Sequence, residues 1–203
     1  MTAPRATPGG IREVGVVNWL ACRVAGRAAG TGPPNLFLTL ARRRGLFRGW
    51  LWFAGRLMPG GTLPRRDTEL VILRVAHLRD CRYEFGHHVR LARRAGVREP
   101  DVERLKAGPD ADGWTPRERA ILTAADRLHA EQDLDDETWT RLRTHLTEGE
   151  CVELTMLAAH YEMLATVITT LRVQPDRPRR PAEAADRHVR GGPPSAPEPS
   201  RSP

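Results

Sequence analysis

Apolar residues recur at helical spacing along most of the chain, and the pattern divides it into a series of helices. Asp67–Arg79 carries Leu70, Leu73 and Ala76 beside Val71, Val75 and Leu78, a wide apolar face that Asp67 or Thr68 can cap. Cys81–Ala95 follows, with Gly96 and Val97 forming a helix-stop signature. Thr115-Pro116-Arg117-Glu118 combines a capping box with a proline in the first turn and predicts a helix to about Glu131. Asp135–Leu146 reads as another helix, and Thr147-Glu148-Gly149-Glu150 opens a long apolar one through Leu171. Upstream, Glu13–Ala28, Asn35–Arg44 and Leu46–Met58 are helical stretches, with Pro59-Gly60-Gly61 a loop. The segment 98–112 is turn-rich, with a short helix near Val102–Lys106. Alternating apolar runs joined by two-residue hairpin signals are hard to find, so the fold class is all-α. A faint internal echo pairs Pro64-Arg65 before Ile72-Leu73 with Pro116-Arg117 before Ile121-Leu122.

The organisation follows from the same pattern. Residues 1–34 form an N-terminal extension with one helix, and 35–175 a compact helical domain. In 176–203 Pro, Arg, Gly and Ser dominate and apolar residues vanish. Such a segment buries too little surface to offset its ordering entropy, so a disordered tail is expected.

The 203 residues suffice for one domain with its own core. The formal charge of +7 comes from a chain with a single lysine, Lys106, the other 31 of its 32 basic residues being arginine. That preference reads as a compositional bias. The densest cluster, Arg42, Arg43, Arg44 and Arg48, lies in no nucleic-acid-reading fold and reads as a solvated or interface face. Cys22, Cys81 and Cys151 are scattered, odd in number and without CxxC spacing, which argues against a disulfide framework or structural zinc and fits a reducing cytoplasm. No signal peptide or membrane span is read at the N-terminus.

Reactive residue types concentrate in Cys81-Arg82-Tyr83-Glu84-Phe85-Gly86-His87-His88. Spacings of three and four place Cys81, Glu84 and His88 on one helix face. A carboxylate beside an imidazole is a workable proton-transfer pair. Cys81 at the helix start feels a dipole that favours thiolate and a carboxylate that opposes it. Glu69 stands in an otherwise apolar helix, either facing solvent or buried for a purpose. The plainer readings are a small buried cysteine and an exposed Glu–His pair worth a few tenths of a kcal/mol. His77, His129, His145 and His160 read as structural or surface residues. A metal held by Glu84, His88 and one of His77 or His160 lacks the HExxH spacing, and no metal is expected.

These residues carry a resemblance. The run from Leu63 to Val97, LPRRDTELVILRVAHLRDCRYEFGHHVRLARRAGV, resembles the carboxymuconolactone decarboxylase and alkylhydroperoxidase-D-like family. Pro34-Asn35-Leu36-Phe37, Phe47-Arg48-Gly49-Trp50 and His160-Tyr161-Glu162-Met163-Leu164 are similar to its flanking segments, so the likeness covers roughly Asn35 to Val173. The peroxidase branch has a glutamate, a CxxC pair and a histidine four residues on. Glu69, Cys81, Glu84 and His88 occupy those places here, with Glu84 where the second cysteine stands. The local disulfide of that branch is therefore impossible, and Cys22 or Cys151 could substitute only if folded within reach. The decarboxylase branch resembles E-x-x-x-H followed by Val-Arg, matched by Glu84, His88, Val89 and Arg90.

The resemblance implies a helical, homo-oligomeric enzyme, trimeric or hexameric, that needs no cofactor. The expected reaction is acid–base chemistry on a small organic acid or lactone. Glu69, Cys81, Glu84 and His88 are the candidate catalytic residues. Asn35, Tyr83 and Arg90 are the candidate substrate-binding residues, Arg90 for an acidic group. A thiol-dependent hydroperoxide reductase using Cys81 is the runner-up, and a non-catalytic ligand-binding or scaffold protein the third reading. No nucleic acid and no membrane are expected as partners.

Overall fold

The computed structural model describes residues 3–176. Among them the chain forms ten α-helices and one 3-10 turn, with no strand: α1 Ile11–Val14, α2 Val16–Ala29, α3 Asn35–Leu40, α4 Arg44–Leu57, α5 Arg65–Leu78, α6 Arg82–Ala92, the turn Arg93–Ala95, α7 Glu99–Ala107, α8 Pro116–Glu131, α9 Asp136–Arg143 and α10 Glu148–Leu171. The all-α class expected from periodicity is the class observed.

α5 is the centre. Every residue from Asp67 to Ala76 is buried, because a helix apolar on all sides must be covered on all sides. α6, α8 and α10 pack around it. Leu70 and Leu73 face a cluster with Leu105, Trp114 and Leu122. Val71, Ile72 and Val75 face the larger cluster with Ile121, Leu154 and Leu157. The charges this helix buries are paired: Arg74 with Asp126 at 2.6 Å, and Asp67 with Arg117 at 2.8 Å. A buried charge left without a partner costs several kcal/mol, so these pairs help fix the position of α5 against α8.

The boundaries have local causes. α8 and α10 start at the expected capping boxes, with Thr115 accepting from the Glu118 amide and Thr147 from the Glu150 amide. α5 begins at Arg65, two residues before the expected start, with Pro64 as its cap. The expected helix over Glu13–Ala28 is split at Gly15, whose φ of 82° ends α1. Arg42 and Arg44, read from the sequence as a solvated or interface face, tie the N-terminal segment down. They donate to the carbonyls of Thr7, Arg12 and Glu13.

α10 is long and apolar enough by length and composition to cross a membrane, but half of its apolar window is buried inside the protein. It packs on α5, α8, α4 and α9 as a core helix. The chain then turns at Arg172 and runs back over the start of α3. There Asp176 accepts hydrogen bonds from the Asn35 amide and the Tyr83 hydroxyl, both at 2.7 Å. Composition places Asp176 at the start of a disordered tail, and the structure instead holds it between two elements. The rest of that expected tail, 177–203, lies outside the described residues.

Candidate active site

The site is built at the turn between α5 and α6. Asp80 adopts a left-handed conformation, φ 46°, which lets the Cys81 amide donate to the Ala76 carbonyl at 2.8 Å and close α5. Cys81 caps α6, and Glu84 and His88 follow on its buried face. That face looks back on α5, where Glu69 is fully buried.

Glu69 and His88 are the pair that touches. The Glu69 Oε2 and His88 Nδ1 atoms lie 2.9 Å apart. The other Glu69 oxygen accepts from Arg65, four residues earlier, at 2.7 Å. The sequence pattern favoured Glu84 as the residue that orients His88, but the structure gives that place to Glu69, because His88 Nδ1 turns towards α5. His88 Nε2 makes no hydrogen bond among the described residues. Burial pushes the His88 imidazole below its ordinary value, and Glu69 pulls the other way. The net direction is down, so the ring is neutral at neutral pH.

Glu84 behaves oppositely. It is 3 % exposed, and neither carboxyl oxygen has a hydrogen-bond partner of good geometry among the described residues. Burial pushes its carboxyl up to about 8, and interaction with the Cys81 thiol only partly opposes that. One buried group is thus a neutral base and its neighbour a neutral acid at pH 7.

Cys81 is 3 % exposed, and its thiol is pushed up to about 12, first by burial and then by the Glu84 charge. The competition between dipole and carboxylate is settled by burial: the group stays a thiol. No disulfide joins Cys81 to Cys22 or Cys151, and all three are free and buried.

A cavity of about 370 Å³ opens beside this turn. α6 contributes Tyr83, Glu84, His87, His88 and Leu91 to its wall, α3 contributes Leu36 and Phe37, α4 contributes Trp50, Leu51 and Ala54, and α10 contributes His160, Tyr161 and Leu164. Cys81 and Glu69 do not line it. Tyr161 stands edge-on to both His88 and His160, at 5.2 and 5.3 Å between ring centres. The His160 ring stacks on Trp50 at 6.0 Å, and burial lowers its imidazole to about 4.

The remaining expected residues fall differently. Tyr83 lines the cavity, but its hydroxyl is spent on Asp176. The Asn35 side chain donates to the carbonyls of Gln174 and Pro175 and does not reach the wall. Arg90 is turned outward, bonded to the Gly86 carbonyl and beside His87. Among the described residues no three of His, Cys, Asp and Glu are grouped to hold a metal ion. The sequence pattern does not point to Trp50 or Tyr161, and it offers His160 only as a structural or surface residue or a metal ligand. Their segments carry the family resemblance, but helical periodicity alone does not reveal which helix face borders a cavity.

Comparison with known proteins agrees with this architecture. Residues 44–127 match the model of the carboxymuconolactone decarboxylase family. The uncharacterised protein YdfG of Bacillus subtilis (strain 168) is 28% identical over 98 residues, 47% of this chain and 67% of that protein. An uncharacterised peroxidase-related protein from Ralstonia eutropha JMP134, described as an alkylhydroperoxidase AhpD core, superposes with a TM-score of 0.71 at 20% identity, covering 86% of this chain and 94% of that one. The debrominase Bmp8, in a cysteine-to-alanine variant bound to 2,3,4-tribromopyrrole, superposes with a TM-score of 0.72 at 18% identity, covering 83% and 90%. At these identities the likeness is one of fold.

Proposed function

From the match of residues 44–127 to the carboxymuconolactone decarboxylase family model, we propose that the chain is a cofactor-free proton-transfer enzyme of isomerase or lyase type. The observation that carries this reading is the division of labour on one cavity wall. His88 is neutral, held through Nδ1 by Glu69, and Glu84 keeps its proton at pH 7. General acid–base catalysis needs a base and an acid in these opposite states together.

In the proposed cycle, Nε2 of His88 takes a proton from the substrate. Glu69, anchored by Arg65, orients the ring and offsets the positive charge that forms. Glu84 gives its proton to the oxygen or carbon that gains electron density. His88 then carries a proton and Glu84 a charge, and proton exchange with the product or water restores both. Glu69 does not line the cavity and acts through His88, so its role is positioning.

The thiol-dependent alternative has less support. Cys81 stays protonated, does not line the cavity, and has no disulfide partner. A non-catalytic descendant of the fold fits less well with a cavity bordered by a buried carboxyl that has no good hydrogen-bond partner among the described residues. We also propose a homo-oligomer in the cytoplasm. The exposed apolar stripes Val17, Leu20 and Val24 on α2, and Val152, Met156 and Met163 on α10, support association, and three free thiols suit a reducing compartment.

The test is deuterium wash-in. The full chain in D₂O is incubated with a panel of small enolisable lactones and cyclic ketones, and carbon-bound deuterium is read by mass spectrometry. Incorporation into at least one compound is expected. No incorporation across the panel, together with hydroperoxide consumption that depends on Cys81, would replace this reading with the thiol one.

A further inference from the structure

We propose that the cavity selects an uncharged planar ring compound carrying a hydrogen-bonding substituent, and discriminates against carboxylates. The inference rests on the reading of this cavity as the active site and names its substrate class. The wall facing Glu84 and His88 is aromatic: Phe37 stands edge-on to Trp50 at 5.3 Å, and Trp50 stacks on His160 with 18° between the planes. Flat faces and ring edges of this kind pack against another ring through offset or edge-to-face contacts. Within the wall, Trp50 Nε1 and His160 Nδ1 are buried without a hydrogen-bond partner among the described residues. Both atoms are desolvated and unpaired, so a polar ring substituent that reaches either one supplies its missing partner.

The charged groups point the same way. The acidic side chains at this cavity are Glu84, neutral in its wall at pH 7, and Glu69 behind His88, so neither supplies the positive charge that an incoming anion needs. Among the described residues that line the cavity none is arginine or lysine. The nearby cations are committed elsewhere, Arg65 to Glu69 and Arg90 to the Gly86 carbonyl. A carboxylate brought into an apolar cavity without a cation loses its hydration and gains no partner. The organic acid expected from the resemblance, and Arg90 as its receptor, do not fit this geometry. Decarboxylation needs a carboxylate on the substrate, so isomerisation, or elimination from a neutral ring, is the class of reaction left.

The test uses benzamide and benzoate, which share a ring and nearly a shape but differ in charge. Isothermal titration of the full chain at pH 7 is expected to show benzamide binding at least about tenfold more tightly. Leu91→Arg, which places a cation on the cavity wall, should narrow or reverse the preference, and Leu51→Arg provides the same readout if the first variant does not fold. Benzoate binding as tightly as benzamide, neither probe binding, or a preference unmoved by the folded arginine variants would overturn the proposal. Binding is read without turnover. A protein that prefers benzamide but exchanges no deuterium refutes the mechanism alone, whereas one that exchanges deuterium but prefers benzoate refutes the substrate class alone.

Discussion

Glu69 and His88 come from different helices, nineteen residues apart, yet their side chains meet at 2.9 Å in the interior. A carboxylate on Nδ1 fixes the ring tautomer, leaving the proton on Nδ1 and the lone pair on Nε2. Ring ¹⁵N NMR should therefore show His88 as the Nδ1–H tautomer. Glu69→Gln should lower turnover by about 10²-fold or more while the variant stays folded. An Nε2–H tautomer in the native protein would contradict this arrangement.

Glu84 should leave a mark on stability. Its carboxyl lies at about 8 in the folded protein against 4.5 when unperturbed. A raised acid holds its proton in the native state after the unfolded chain has lost it, so stability falls as pH rises between those values and levels off above about 8. Near pH 6.5 the unfolded histidines still lose protons and contribute a slope of the opposite sign, so the share of Glu84 is the difference between the native protein and Glu84→Gln. Between pH 6.5 and 8 the native protein should lose about 1.5 kcal/mol of unfolding free energy relative to Glu84→Gln, at up to roughly 1.4 kcal/mol per pH unit. Urea denaturation at a series of pH values decides it; identical slopes in both proteins would mean that Glu84 is not buried as a neutral acid.

Cys81 should be chemically quiet. A thiol at about 12 rather than 9.0 holds about a thousandfold less thiolate at pH 8. Iodoacetamide labelling of the folded protein, followed by peptide mapping, should find Cys81 unmodified on the timescale that alkylates a free peptide thiol. Rapid labelling of Cys81 alone would restore the case for thiol chemistry.

Asp176 ties the end of α10 to α3 and α6, with its side chain only 3% exposed. Asp176→Ala removes the acceptor for the Asn35 amide and the Tyr83 hydroxyl, and should cost about 1–3 kcal/mol. A melting temperature equal to that of the native protein would show that this contact does not hold in solution.

How far the sequence carries can be judged from particular residues. The starts of α8 and α10 were legible because a capping box is a local device, complete within four residues. The face shared by Glu84 and His88 was legible from helical spacing alone. The partner of His88 was not, because an i,i+4 neighbour and a carboxylate on the preceding helix compete for one ring nitrogen, and the packing of α6 on α5 decides between them. Arg90 was misplaced for a related reason: two residues beyond His88 the helix has turned by about 200°, towards solvent. His160 and Trp50 meet only through the crossing of α4 and α10, which no local pattern encodes. Asp176 lies in a stretch whose composition predicts disorder, and a single well-placed carboxylate outweighs that average.

In the proposed mechanism protons, not thiols, carry the chemistry. Its most direct test compares deuterium wash-in rates on one responsive substrate for the native protein, His88→Gln, Glu84→Gln and Cys81→Ala, each first shown to be folded. Losses of about 10²–10⁴ are expected for the His88 and Glu84 variants, with an undiminished rate for Cys81→Ala. A rate abolished by Cys81→Ala and retained by His88→Gln would contradict this mechanism.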